Sequence, residues 1–138
     1  MRLWHWGLIP VLPDKMLVSQ WRECIAIKRQ WEKGTLNHKL VNYVMNYDKT
    51  YFFHYVTKIV TEFTVRNIKS NYKLFQEIGE FCLKTEKDII LSNHCCYPEH
   101  NERYLKQCYY NLQEKADRGI ITQKEWEKIE NYVRKEKI

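Results

Sequence analysis

The sequence predicts an all-α fold, helices packed with an extended N-terminal segment, and three observations lead there. Only four Gly and three Pro punctuate 138 residues, which leaves few places for the tight turns that strands require. Apolar residues recur at intervals of three and four over long stretches, the period of a helix buried along one face. Thr122-x-x-Glu125 is a capping-box signature, a helix start written in the sequence. A chain of this length fits one compact domain, residues 1–138, and 44% hydrophobic with 14% aromatic residues is enough to build its core.

Residues 1–12 are expected to run extended and apolar, because Pro10 and Pro13 block an early helix. The first helix is predicted from about Asp14 to Lys33, stopped by Gly34. Residues 35–49 read as irregular, with room for a short helical turn. Phe52, Val56, Ile59 and Phe63 then recur at helical spacing, predicting a second helix from about Thr50 to Lys69; twenty residues without a turn signal are too many for one strand. A third helix is expected over about Tyr72 to Lys84. A fourth is expected from Pro98, a favoured first-turn residue, to about Asp117 before Gly119, and a last from Thr122 to about Lys135.

Charge is unevenly distributed. Residues 1–69 carry 11 Lys and Arg against 5 Asp and Glu, whereas residues 70–138 carry 12 of each, so the whole excess of +6 lies in the first half. A one-sided basic excess is the footprint of polyanion binding, since cations that neutralise phosphates release counterions; a solvated basic face is the plainer alternative. On the first helix Lys15, Ser19, Arg22, Ala26, Arg29 and Lys33 are spaced 4, 3, 4, 3, 4 and share one stripe. Its members are cationic or small, as a surface lying on a phosphate backbone requires. Glu23 sits at the edge of that stripe, on a neighbouring row with Met16, Gln20, Ile27 and Gln30. A carboxylate there weakens phosphate binding unless it has a task of its own; otherwise it is half of an Arg/Glu surface pair worth little.

Leu12, Asp14, Leu17, Arg22 and Glu23 fall, without a gap from the first codon, where the phage pyrimidine-dimer DNA glycosylase/AP lyase (endonuclease V-like) family has the same residue types. The first 30 residues therefore resemble that family, most closely a branch that opens Met1-Arg2-Leu3-Trp4-His5 and carries Gln20-x-Arg22-Glu23-Cys24. Tyr97-Pro98-Glu99-His100 is similar to a motif late in the family. The resemblance implies a DNA-repair enzyme that extrudes a nucleotide from duplex DNA carrying a damaged or abasic site, attacks the sugar C1′ with the chain's terminal amine, and cleaves the strand by β-elimination with help from a Glu. It implies catalytic roles for Met1, Arg2 and Glu23, and DNA binding by Arg2, Lys15, Arg22, Arg29 and Lys33, with no metal and no organic cofactor. An α-amine has a pKa near 7.7 to 8.0, so roughly a quarter is a neutral nucleophile at pH 7.5, whereas a Lys amine near 10.4 is almost wholly protonated.

Position two departs from the family. The phage enzyme loses its initiator Met and exposes a small Thr, whereas Arg2 follows Met1 here, and initiator Met is usually retained before so bulky a residue. The reacting amine is then expected on Met1. Lys15, Met16 and Ala26 also differ from the phage residues, so contacts to the lesion and to the opposite base are not carried over.

Five cysteines (Cys24, Cys82, Cys95, Cys96, Cys108) in no framework spacing suggest reduced thiols and a cytoplasmic protein. The apolar run at the start is broken by His5 and prolines, so neither a signal peptide nor a membrane span is expected. His94, Cys95, Cys96 and His100 carry zinc-ligand chemistry but lack a second paired motif, and no metal site is expected. Trp21 reads as core, while Trp4 and Trp6 could pack or stack on bases. A monomer is expected. Two alternatives use the same features: a non-catalytic DNA-binding module, and a protein-interaction domain whose aromatics form an interface.

Overall fold

Along the first twelve residues, apolar side chains alternate between two directions, and that alternation organises the molecule. In the computed structural model, which describes residues 1–84 and 96–136, all regular elements are helical. Leu3 and Ile9 join one buried cluster with Leu17, Trp21, Cys24 and Ile27 of α1 (Asp14–Glu32) and Phe52, Val56, Ile59 and Phe63 of α2 (Lys49–Val65). Trp4, Leu8 and Leu12 join a second cluster with Leu105, Cys108 and Leu112 of α4 (Glu102–Asp117) and Trp126, Ile129 and Val133 of α5 (Gln123–Lys135). The lead-in is a wedge between two helical layers. Full burial of Leu3, Leu8 and Ile9 contributes roughly 1.5–3 kcal/mol each.

The lead-in is extended only through His5. Trp6–Val11 form a 3-10 helix, capped by His5, whose Nδ1 accepts from the Gly7 N–H at 3.1 Å. Pro10 inside it supplies no N–H, and the carbonyls left over are collected by one side chain. The Arg66 guanidinium donates to the carbonyls of Leu12 (2.7 Å), Pro10 (3.1 Å) and Ile9 (3.4 Å) while pairing with Asp14 and Glu62, both at 2.8 Å. Gly7 is required by packing, since a Cβ there would lie 2.2 Å from the Tyr132 hydroxyl oxygen.

Local chemistry sets the remaining boundaries. At the end of α1, Gly34 takes φ 73° and Thr35 N–H reaches back to the Gln30 carbonyl at 2.8 Å. Asn42–Asn46 form a second short 3-10 helix. The second helix stops at Val65, four residues before the expected Lys69, because Asn67 adopts φ 58° and Ile68 N–H closes on the Phe63 carbonyl at 2.8 Å. Asn tolerates this left-handed conformation and ends the helix as Gly would. Asn71 caps α3 (Tyr72–Cys82) by accepting from Leu74 N–H. The fourth helix begins at Glu102, four residues after Pro98, because Asn101 is the side chain that caps it, accepting from Tyr104 N–H at 2.9 Å. The Thr122–Glu125 capping box forms with both of its bonds.

Candidate active site

Glu23 lies on α1 two positions beyond the buried Trp21, and the extended residues Arg2–Trp4 run across the helix beside it. The Arg2 backbone N–H donates to Glu23 Oε2 at 3.3 Å, which brings the start of the chain to the carboxylate. Every polar backbone group from Arg2 N to Trp4 O, the Leu3 N–H aside, is tied down. Gln20 Nε2 donates to the Arg2 carbonyl at 2.8 Å and to Glu23 Oε2 at 3.0 Å, and Gln20 Oε1 accepts from Trp4 N–H at 2.7 Å. The Tyr104 hydroxyl donates to the Leu3 carbonyl, and that of Tyr55 to the Trp4 carbonyl at 2.7 Å. Burial pushes both phenols up, so both stay protonated donors at any pH where the protein works.

Further along, the Trp6 N–H donates to His100 Nδ1 at 3.0 Å, and His100 Nε2 pairs with the Tyr43 hydroxyl at 2.6 Å. An Nδ1 that accepts must be unprotonated, which leaves the ring's proton on Nε2. Burial, with a smaller effect of His5, holds the pKa of His100 down to about 3. Tyr47 donates to both oxygens of Glu99 at 2.9 Å. The Tyr97–His100 motif is thus a clamp on the lead-in, two steps removed from Glu23.

The stripe on α1 is open to solvent as its spacing predicts. Lys15, Ser19, Arg22, Arg29 and Lys33 are exposed, with Ala26 half-buried between them. A groove of about 470 Å³ runs beside its N-terminal half, with Val18 and Ile68 as apolar lining and Lys15, Ser19, Arg22 and Asp14 around them. Arg2 behaves differently from the other cations. It is half-buried, and its guanidinium stands 5.6 Å from the Trp4 ring centre and 6.0 Å from that of Tyr104. Met1 packs partly buried against the first cluster. The structure therefore brings Arg2 and Glu23 into contact and aligns Lys15, Arg22, Arg29 and Lys33 on one face.

Among the described residues, no group of three His, Cys, Asp or Glu could hold a metal ion, and no helix is long and apolar enough to cross a membrane. His94 and Cys95 lie outside the described residues. Cys24, Cys82, Cys96 and Cys108 are free thiols. Burial raises all four, Cys82 to about 12, with the Glu23 charge adding to the effect on Cys24.

The residues that build this arrangement were only partly visible in sequence. Gln20 is 1% exposed in the middle of the buried row Leu17, Trp21, Cys24 and Ile27. A lone amide on an apolar helix face was the available signal, because a buried amide must find partners. Tyr55 and Tyr104 gave none, since a tyrosine on an apolar stripe looks like any other core aromatic.

A basic helix face, a carboxylate at its edge and a chain start held against that carboxylate are the features that this helical protein brings together. The family model for pyrimidine dimer DNA glycosylases matches residues 1–76 of the 138. The chain belongs to the pyrimidine dimer DNA glycosylase family, a family of DNA-repair enzymes acting on DNA. No curated protein and no solved structure matches it.

Proposed function

We infer that this protein excises a damaged base from duplex DNA and cleaves the abasic strand, using its terminal amine as nucleophile and Glu23 as acid–base group. The observation that carries this reading is the 3.3 Å contact between the Arg2 backbone nitrogen and Glu23 Oε2, with Arg2–Trp4 fixed from three helices. The amine on Met1 forms a bond to C1′ as the glycosidic bond breaks and the base leaves with its electron pair, taking up a proton. Ring opening gives an iminium, which acidifies the 2′ hydrogens. Glu23 accepts one of these protons, and the electrons expel the 3′ phosphate. Lys15, Arg22, Arg29 and Lys33 hold phosphates along the stripe, and Arg2, over its two rings, steadies the first peptide beside the reacting sugar.

Borohydride with an abasic or dimer-containing duplex tests the reading, since it reduces an imine to a stable covalent link. Trapped adduct and strand scission are expected with both. The second reading, a DNA-binding module without catalysis, is favoured by one feature: the nitrogen Glu23 contacts is an amide when Met1 precedes it. Salt-sensitive DNA binding with no trapped adduct would establish the module instead.

A further inference from the structure

We propose that Gln20 is the positioning residue of this site, committing Oε2 of Glu23 to holding the chain start and leaving Oε1 as the oxygen that moves protons. The proposal rests on Glu23 being the acid–base group. A side-chain amide can be turned either way unless its partners fix it, and here both partners have roles that cannot change. The Trp4 backbone N–H can only donate, and it meets Gln20 Oε1 at 2.7 Å; the Arg2 carbonyl can only accept, and it meets Nε2 at 2.8 Å. Turning the amide over would set donor against donor in a buried contact and acceptor against acceptor in a partly buried one. The Tyr55 hydroxyl, 2.9 Å from Oε1, holds the same orientation.

The second N–H of Nε2 is consequently aimed at Glu23 Oε2, 3.0 Å away, where the Arg2 N–H also arrives. Among the described residues, Oε1 takes no hydrogen bond. Among the described residues, the charged and titratable groups that meet the pair or its partners are Arg2 from the lead-in, Cys24 from α1, Tyr43, Tyr55 from α2, and Tyr104 and Cys108 from α4. None of these is a second carboxylate. A base anchored through one oxygen keeps the other at a fixed place, which proton transfer over 2.6–3.2 Å requires.

The pH–rate profile of strand scission separates positioning from mere packing. In Gln20→Glu, a second carboxylate beside Glu23 makes joint ionisation costly, so the acid limb should move up by about one unit or more, with scission falling about tenfold at pH values below the limb. Affinity for an abasic duplex should stay within about threefold, because the phosphate-binding stripe is untouched. Gln20→Met keeps the length but removes the donor, and should move the limb the same way by less. A purely structural role predicts a lower Tm and equal loss at every pH. A folded Gln20→Glu or Gln20→Met with an unmoved limb overturns the proposal. Should neither fold, the Gln20 side-chain amide protons of the wild type are followed by NMR: a shift sharing the midpoint of the acid limb supports the proposal, and a constant shift overturns it. A wild type that cuts but fails these tests refutes the role of Gln20 alone, whereas one that neither cuts nor is trapped removes the enzymatic function and this role with it.

Discussion

Oε2 of Glu23 lies 3.3 Å from the backbone nitrogen of Arg2. In a chain beginning at Met1 that nitrogen is an amide, and the free amine is one residue beyond, about 3.3–3.6 Å along an extended chain. The carboxylate thus holds the chain by its second residue, and in the proposed mechanism the first would carry the reacting amine.

The trapped sugar is therefore expected on the Met1 amine, shown by intact mass and a peptide map of the adduct. A short N-terminal extension should abolish trapping and leave DNA affinity within about threefold. Arg2→Ala offers a sharper test, because initiator Met is removed before so small a residue and the new amine then sits at the nitrogen Glu23 already contacts. Its trapping rate should rise by about tenfold if that geometry outweighs the loss of the Arg2 guanidinium beside the site. An adduct on an internal lysine, such as the partly buried Lys58, would refute the assignment.

Glu23→Gln isolates chemistry from structure. The amide oxygen can still accept from Arg2 N–H and Gln20, so folding should change by no more than about 1 kcal/mol. Scission should drop by about 10² or more, as expected for loss of a general acid–base group, while DNA affinity holds or tightens. Unchanged scission in urea-stable protein would leave Glu23 as a structural contact.

The helical class, the capping box at Thr122 and the stop at Gly34 were legible in sequence because each depends on neighbours a few residues apart. Helix ends set by Asn67 and Asn101 were less so: Asn ends helices in two different ways, and only the tertiary context selects which. The exposed stripe from Lys15 to Lys33 was read directly from its spacing. The strap was not, since it joins residues 2–4 to residues 20, 55 and 104, and no local pattern reports such pairings. The 3-10 turn at Trp6–Val11 was missed for a related reason, as Arg66 collects its unpaired carbonyls from 54 to 57 residues away.

Affinity for duplex DNA should fall steeply with salt, because the excess charge lies in the first half and Lys15, Arg22, Arg29 and Lys33 are exposed. Arg29→Ala and Lys33→Ala should each weaken binding and lower the slope of log K against log salt by about one unit per lost phosphate contact. Lys124→Ala and Lys128→Ala on α5 serve as controls and should change the slope little. A larger effect from the controls would move the interface to the other layer.

His100 makes the clamp on the lead-in sensitive to acid. Its folded pKa of about 3 lies below the ordinary 6.5, so the unfolded chain binds the proton first. The contribution of this ring is therefore full above its unfolded pKa near 6.5 and declines as the pH falls from there toward 3, by up to about 1.4 kcal/mol per unit. His5, held down chiefly by burial, adds in the same direction. Urea unfolding between pH 6.5 and 5 reads this decline. Wild type should lose stability across that window, and His100→Asn should show a shallower slope whatever its absolute stability. A local opening that frees His100 admits the proton and releases the Trp6 N–H, so the protection factor of Trp6 against hydrogen exchange should fall over the same range ahead of that in the interior of α1. An equal slope in both proteins would show that His100 is not protonated on unfolding and that the clamp on the lead-in has another origin.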